Sequence, residues 1–211
     1  MAELVKVSTP VGKLMWVNIS GQGKLNYNED GYDYVASVIL DKEVAKPLID
    51  QIKEVYEDDC QKGREVQSLG YKACTEEGLT KNEDGSEVKA ETAKYFAFNF
   101  KTKTTFKDDK PKKITVYNSN AKKVDIGDTR IGNGTIGAIS GSIRYYFKGK
   151  KDGVSLWLNS VQIIKLVEYT EDAGFEASKE GGFTGVEDTE TGFVGQPEES
   201  ANETPKAKPR L

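Results

Sequence analysis

Between Lys94 and Lys123 the chain reads KYFAFNFKTKTTFKDDKPKKITVYNSNAKK, and its first half alternates with a period of two. Phe96, Phe98, Phe100, Thr102, Thr104 and Phe106 share one parity; Tyr95, Asn99, Lys101, Lys103, Thr105 and Lys107 share the other. Successive side chains point to opposite faces only in a pleated strand, so the segment is expected to be a half-buried strand. Its aromatic face is for a core and its basic face lies outside. Asp108-Asp109-Lys110-Pro111 is a turn signal, after which Ile114 and Val116 alternate with Lys113, Thr115 and Tyr117. If that turn pairs Phe106 with Ile114, Tyr117 sits opposite Lys103. An outer face of Lys101, Lys103, Lys113 and Tyr117 has the composition of a single-stranded nucleic-acid platform, cations for phosphates and rings for bases. The plainer reading is a solvated face whose lysines protect a sheet edge.

The flanking elements follow from the same patterns. Lys13–Ser20 and Tyr32–Leu40 are strand candidates around a Gly, Asn and Asp-rich loop over Gly21–Gly31. From Asp41 to Lys62 the period changes: Val44, Leu48, Ile52, Val55 and Tyr56 recur at helical steps. Pro47 suits a first turn, which starts the regular helix near Lys46, and Gly63 is a candidate stop. Gln67–Glu91 is polar and reads as an excursion or long loop. Asn120–Gly137 is turn-rich; its Gly132-Asn133-Gly134 lacks the GK[ST] ending of a phosphate loop and reads as a turn. In Ile139–Lys148 the residues Ile139, Gly141, Ile143, Tyr145 and Phe147 face inward, and Ser142, Arg144, Tyr146 and Lys148 outward. Gly149–Gly153 is a turn. Val154–Tyr169 is a long strand with Trp157 outward and a parity slip near Ser160 that indicates a bulge. Beyond Tyr169 the periodicity ends, and the Gly, Glu, Thr and Pro-rich remainder is expected to be disordered. Residues 1–169 thus form one binding domain and 170–211 a tail.

Charge divides along that boundary. From Glu168 onward there are 11 acidic and 4 basic residues, a balance of −7, whereas Lys94–Lys123 alone holds nine Lys against two Asp. A mildly basic body therefore carries an acidic tail. There is no histidine, and Cys60 and Cys74 are the only cysteines. A disulfide framework, a structural zinc site and a His-based catalytic triad are accordingly excluded, and no cofactor is implied. The carboxylate pairs Asp58-Asp59, Glu76-Glu77 and Asp108-Asp109 are adjacent in sequence and so do not face one another, which reads as solvated charge rather than catalysis. No apolar run approaches the ~20 residues that span a bilayer, and MAELVKVSTP lacks the features of a signal peptide. The expectation is a non-enzymatic cytoplasmic protein with no membrane partner.

Strand, strand, helix, strand pair and long strands make a mostly β chain with one helix. An OB-like five-stranded barrel is the natural closure, with a β-sandwich left open by periodicity alone. The pattern Tyr95–Lys107, Ile114–Val124, Ile131-Gly132-Asn133-Gly134, Ser142–Lys148 and Val154–Tyr169, followed by an acidic tail, resembles the T7-type bacteriophage single-stranded DNA-binding proteins. The likeness spans roughly Lys13–Tyr169. It implies an OB barrel that binds single-stranded DNA without sequence preference in replication or recombination. It also implies a tail that competes with DNA and contacts phage or host replication proteins. The chain departs from that family's best-known members at its end, PKAKPRL; its acids lie upstream, between Glu168 and Glu203, with Phe175, Phe183 and Phe193 among them.

The expected DNA-binding residues are Lys101, Lys103, Lys113, Tyr117, Lys122, Lys123, Arg130, Arg144, Tyr146, Lys148 and Trp157. For Tyr117, Tyr146 and Trp157 the alternative is cover for a second small core beneath Gln67–Glu91 or the helix. Trp16 shares its parity with Leu14, which suggests burial. Two other functions fit the same pattern: an RNA-binding OB protein, and a β-rich structural or assembly protein of a phage particle. Oligomeric state is not legible.

Overall fold

The computed structural model describes residues 4–26, 29–60, 63–106, 108–127 and 129–169. The expected tail over 170–211, and Lys107 and Lys62 at the ends of their elements, lie outside them. In chain order the elements are β1 (Val5–Ser8), β2 (Gly12–Asn18), β3 (Lys24–Leu25), β4 (Tyr32–Asp41), α1 (Lys42–Asp59), β5 (Glu65–Ser68) and β6 (Tyr71–Cys74). They continue with β7 (Tyr95–Lys103), β8 (Thr115–Tyr117), β9 (Lys123–Val124), β10 (Thr135–Lys148) and β11 (Lys151–Lys165). No helix among the described residues is long and apolar enough to cross a membrane.

Five strands close on one another in the order β2, β4, β7, β11, β10 and back to β2. Every join is antiparallel except β7 with β11, where Phe100 meets Leu156 and Lys101 meets Trp157 in parallel. One parallel join in an otherwise antiparallel ring is the OB arrangement. The ring is only partly zipped, since β10 meets β2 over Thr135–Gly137 alone. Short strands fill the gaps: along one side of β11 lie β5, then β7, then β8, while β6 continues beside β7 and β1 edges β10.

Alternation explains the interior. Phe96, Phe98 and Phe100 on β7, Val38 and Leu40 on β4, Ile139 and Ile143 on β10, and Leu156, Leu158 and Val161 on β11 join one buried cluster. Burying each such side chain stabilises by ~1.5–3 kcal/mol. The expected slip in β11 is present: register shifts where Ser160 faces Ser140 and Leu158 faces Gly141, leaving Asn159 as the extra residue. Gly141 is required there. A Cβ on it would lie 2.2 Å from the Trp157 carbonyl oxygen and 2.8 Å from the Phe100 ring.

The helix packs through Ala45, Leu48, Ile52 and Val55. Asp152, with no exposed surface, anchors its far end: Tyr56 Oη donates to Oδ1 at 3.0 Å and Tyr145 Oη donates to Oδ2 at 3.0 Å. Burial, then the bond to Asp152, pushes the Tyr56 hydroxyl up to about 12. Arg64 lies over the Phe147 ring at 4.5 Å.

Several expectations are corrected. The helix starts at Lys42, so Pro47 is its sixth residue rather than in its first turn, and gives up a single bond to the Glu43 carbonyl. Val44 is consequently exposed and Ala45 takes its place on the buried stripe. The chain leaves helical geometry at Cys60, three residues before Gly63. β7 and β8 do not form a hairpin. After the tight turn that pairs Thr105 with Pro111, β8 crosses to β11, so Tyr117 faces Gln162 and Lys123 rather than Lys103. Phe106, past the end of β7, is 54% exposed, with the Lys112 ammonium 5.8 Å from its centroid. Phe147 is exposed and Ser142 buried, because the hairpin end outruns the core while Ser142 faces Trp157. That hairpin turns on Gly149 and Lys150 alone. The 67–91 excursion holds the end of β5 and all of β6, and covers a second small core. Its members are Met15, Ile39 and Cys74 rather than Tyr117, Tyr146 or Trp157.

Candidate nucleic-acid interface

The registers order the outer face into rungs. Lys72, Ala97 and Ile39 form one; Asn99 and Ser37 the next; Trp157, Lys101 and Val35 the third; Lys103 and Asp33 the fourth. Because these residues alternate with Phe96, Phe98, Phe100 and Thr102, packing of the interior fixes which side chains face out. Trp157 is neighboured on β10 by Ser142, and Arg144 faces Ser155 one step along. The Arg144 guanidinium lies 5.0 Å from the Trp157 ring centroid, a cation–π contact that orients both groups.

The cations of this face are not neutralised by carboxylates. Among the described residues Lys72, Lys101, Lys103 and Arg144 have no ion-pair partner. Their field is thus available to a polyanion. Lys112 differs: it donates to Thr102 Oγ1 at 2.6 Å, and burial pulls its ammonium below the usual lysine range.

Beside Lys101 the face deepens into a groove of about 470 Å³. Its lining includes Ser37, Ala97, Asn99, Lys101, Tyr146 and Ser155, with Trp16 at the β2 side and Ser68, Gly70, Tyr71 and Lys72 opposite. Burial raises the hydroxyl pKa of Tyr71 and Tyr146, so both remain neutral at ordinary pH. Trp16 was the least legible of these. Register in β2 slips between Met15 and Asn18, Leu14 and Met15 are both buried, and Trp16 is 45% exposed at φ +51°. A non-glycine residue in that region costs roughly 1–3 kcal/mol and persists only when its surroundings hold it. Here the Trp16 amide donates to Asn133 Oδ1 at 2.7 Å, giving the Gly132–Gly134 turn a structural role. Lys72, Asn99 and Tyr71 were also missed, since the excursion bearing the first and last gave no strand signal.

The structure therefore brings Lys101, Lys103, Arg144, Tyr146 and Trp157 onto one face. Tyr117 lies farther along β11 on the same outward parity, past the bulge, opposite Gln162. Lys122 and Lys123 belong to the β8–β9 excursion, and Lys113 beside it is 3.8 Å from Asp125. Lys148 lies at the hairpin end, opposite Lys151. Arg130 precedes the Ile131 turn, where its carbonyl accepts from the Tyr169 amide at 3.1 Å. Among the described residues no three His, Cys, Asp or Glu side chains cluster as metal ligands.

A partly open five-stranded ring with one parallel join defines an OB-like domain, and its outer face carries free cations and rings. No protein-family model matches the chain, and no curated protein matches it in sequence. In three dimensions it is similar to gp2.5, a single-stranded DNA-binding protein encoded by bacteriophage T7, at 18% identity and a TM-score of 0.54. That match covers 86% of this chain and 100% of the other. The C-terminally truncated single-stranded DNA-binding protein of bacteriophage Enc34 is similar at 9% identity and a TM-score of 0.51, over 76% of this chain and 85% of that one. The chain shares their fold.

Proposed function

We propose that residues 1–169 bind single-stranded DNA without enzymatic action and largely without sequence preference. The observation that carries this is the outer face of β7, β11 and β10, where Lys101 and Arg144, neither in an ion pair, flank the exposed ring of Trp157 and Lys103 lies one rung beyond. Cations release counterions from the phosphate backbone, and Trp157 and Tyr146 hold unstacked bases. Lys72 extends the cationic face, and Tyr117, Lys113, Lys122, Lys123, Arg130 and Lys148 lengthen the track at its two ends. The fold shared with two phage single-stranded DNA-binding proteins supports the same reading. The acidic segment 170–211 competes with DNA for this face and is released to replication or recombination partners when DNA binds. Titration of the protein with oligo-dT of ~20 nucleotides at two salt concentrations, read by tryptophan fluorescence and gel shift, tests it. Saturable quenching that weakens with salt is expected; silence in both assays overturns the reading.

A further inference from the structure

The groove beside Lys101 has a chemistry of its own. Its floor is neutral: the Ser37 and Ser155 hydroxyls and the Asn99 carboxamide have no hydrogen-bond partner among the described residues, yet all line the cavity. The ammonium groups of Lys72 and Lys101 stand exposed at its rim. One wall is Trp16, and the ring's placement is built rather than incidental. The bulge in β2 turns it out of the ladder, and the Asn133 side chain holds its amide. Gly78, at φ +82°, backs its benzene end so closely that a Cβ there would lie 2.8 Å from Cη2. Bulges commonly re-aim a side chain beside a binding site. A volume of about 470 Å³ falls within the ~300–1,000 Å³ of small-ligand pockets.

We propose that this groove is a nucleobase pocket: one unstacked base of the bound strand lies against Trp16, with its edge bonded by Asn99 and Ser37. The proposal rests on the single-stranded DNA reading above and adds Trp16 as a further stacking position, on the far side of Lys101 from Trp157. Neutral amide and hydroxyl groups pair with a base edge in either donor or acceptor sense. The flanking phosphates go to Lys72 and Lys101 at the rim. An aromatic wall above a neutral hydrogen-bonding floor is how single-stranded bases are commonly held once splayed from a stack.

The test uses the full chain carrying Trp157→Phe, which leaves Trp16 as the only tryptophan. Oligo-dT of ~20 nucleotides should quench Trp16 saturably. A strand substituted with 5-iododeoxyuridine should, on irradiation, cross-link the Trp16 peptide. Adding Asn99→Ala should weaken binding roughly two- to tenfold, the worth of one net hydrogen bond, by the same factor at every salt concentration, because no phosphate contact is lost. Asn99→Gln, which keeps the amide, should retain more affinity than Asn99→Ala. Gel-shifted complex with Trp16 unquenched and uncross-linked overturns the pocket while leaving the DNA reading standing. A change in salt slope on Asn99→Ala overturns the edge-bonding role. Failure of the unsubstituted chain to bind at all removes the DNA reading, and the pocket with it.

Discussion

Lys101→Ala and Trp157→Ala, compared across salt, should separate the two forces assigned to the outer face. Lys72, Lys101, Lys103 and Arg144 stand on it without ion-pair partners among the described residues. If these four neutralise four phosphates, log affinity falls against log salt with a slope of about −0.7 per contact, or ~−2.8. Affinity then drops roughly 50-fold between about 50 and 200 mM salt. Lys101→Ala should bring the slope to ~−2.1 and the drop to roughly 20-fold. Trp157→Ala removes a stacking surface worth ~1–3 kcal/mol and should cost roughly fivefold to 150-fold at each salt concentration, with the slope unchanged. Fluorescence anisotropy of a labelled oligo-dT measures both. Lys46→Ala, on the helix and paired with Asp50, serves as a control that changes neither. Equal slopes for Lys101→Ala and the unsubstituted protein, or a shallower slope for Trp157→Ala, would refute the division of labour.

Other outcomes follow from the packing and the tail. Gly141→Ala should destabilise by ~1–3 kcal/mol or more through its approach to Trp157 and Phe100, lowering the melting temperature by about 2–4 °C per kcal/mol; an unchanged melt would contradict that contact. Asp152→Ala strands the Tyr56 and Tyr145 hydroxyls, each costing ~1–3 kcal/mol if unsatisfied, and denaturant unfolding should show Asp152→Asn losing less. Both hydroxyls keep their protons in the folded protein above the unfolded value of ~10. The Tyr56 contribution is therefore complete below about pH 10 and lost as pH rises through about 12, and the Tyr145 contribution is lost in the same direction above its ordinary value; stability flat over that window by circular dichroism would exclude it. Removing 170–211, which carries ten acidic and four basic residues, should tighten binding at low salt, and unchanged affinity would count against tail competition.

How much of this was legible depended on whether the periodicity was local. Around these residues β7, β10 and β11 keep a period of two, so Phe98, Ile143 and Leu156 could be placed inside, and Lys101, Arg144 and Trp157 outside, from parity alone. Even the Asn159 bulge left a trace, as a slipped apolar register. The bulge in β2 left none. With Leu14 and Met15 both buried, Trp16 had to be re-aimed by Asn133, more than a hundred residues away. Strand pairing was equally hidden. The turn after Phe106 reads as a hairpin, and its tip is one, but β8 pairs with the open side of β11 instead of following β7 back. The 67–91 segment shows the same limit. β5 and β6 are short and polar on one face, and exist because β7 and β11 diverge and leave backbone groups to be paired.

That divergence connects fold and site. β7 and β11 touch in parallel over Phe100–Leu156 and Lys101–Trp157 alone, so ring closure and the outer face depend on one join. On its inner side Phe100 and Leu156 have essentially no exposed surface. On its outer side the same two backbones place a lysine beside a tryptophan. β5 fills the opening on one side of the join and β8 on the other, and each brings its own surface: Ser68 at one end of the groove, Tyr117 along the continuing track. Gly141 lets β10 lie close enough to fix the Trp157 carbonyl, and Arg144, three residues later, reaches back over the ring. A change inside this join should reach Trp157 through the backbone, whereas a change to Lys101 or Arg144 should alter charge and leave the ring of strands intact. Stability and the proposed DNA affinity are therefore separable by which side of these strands is altered.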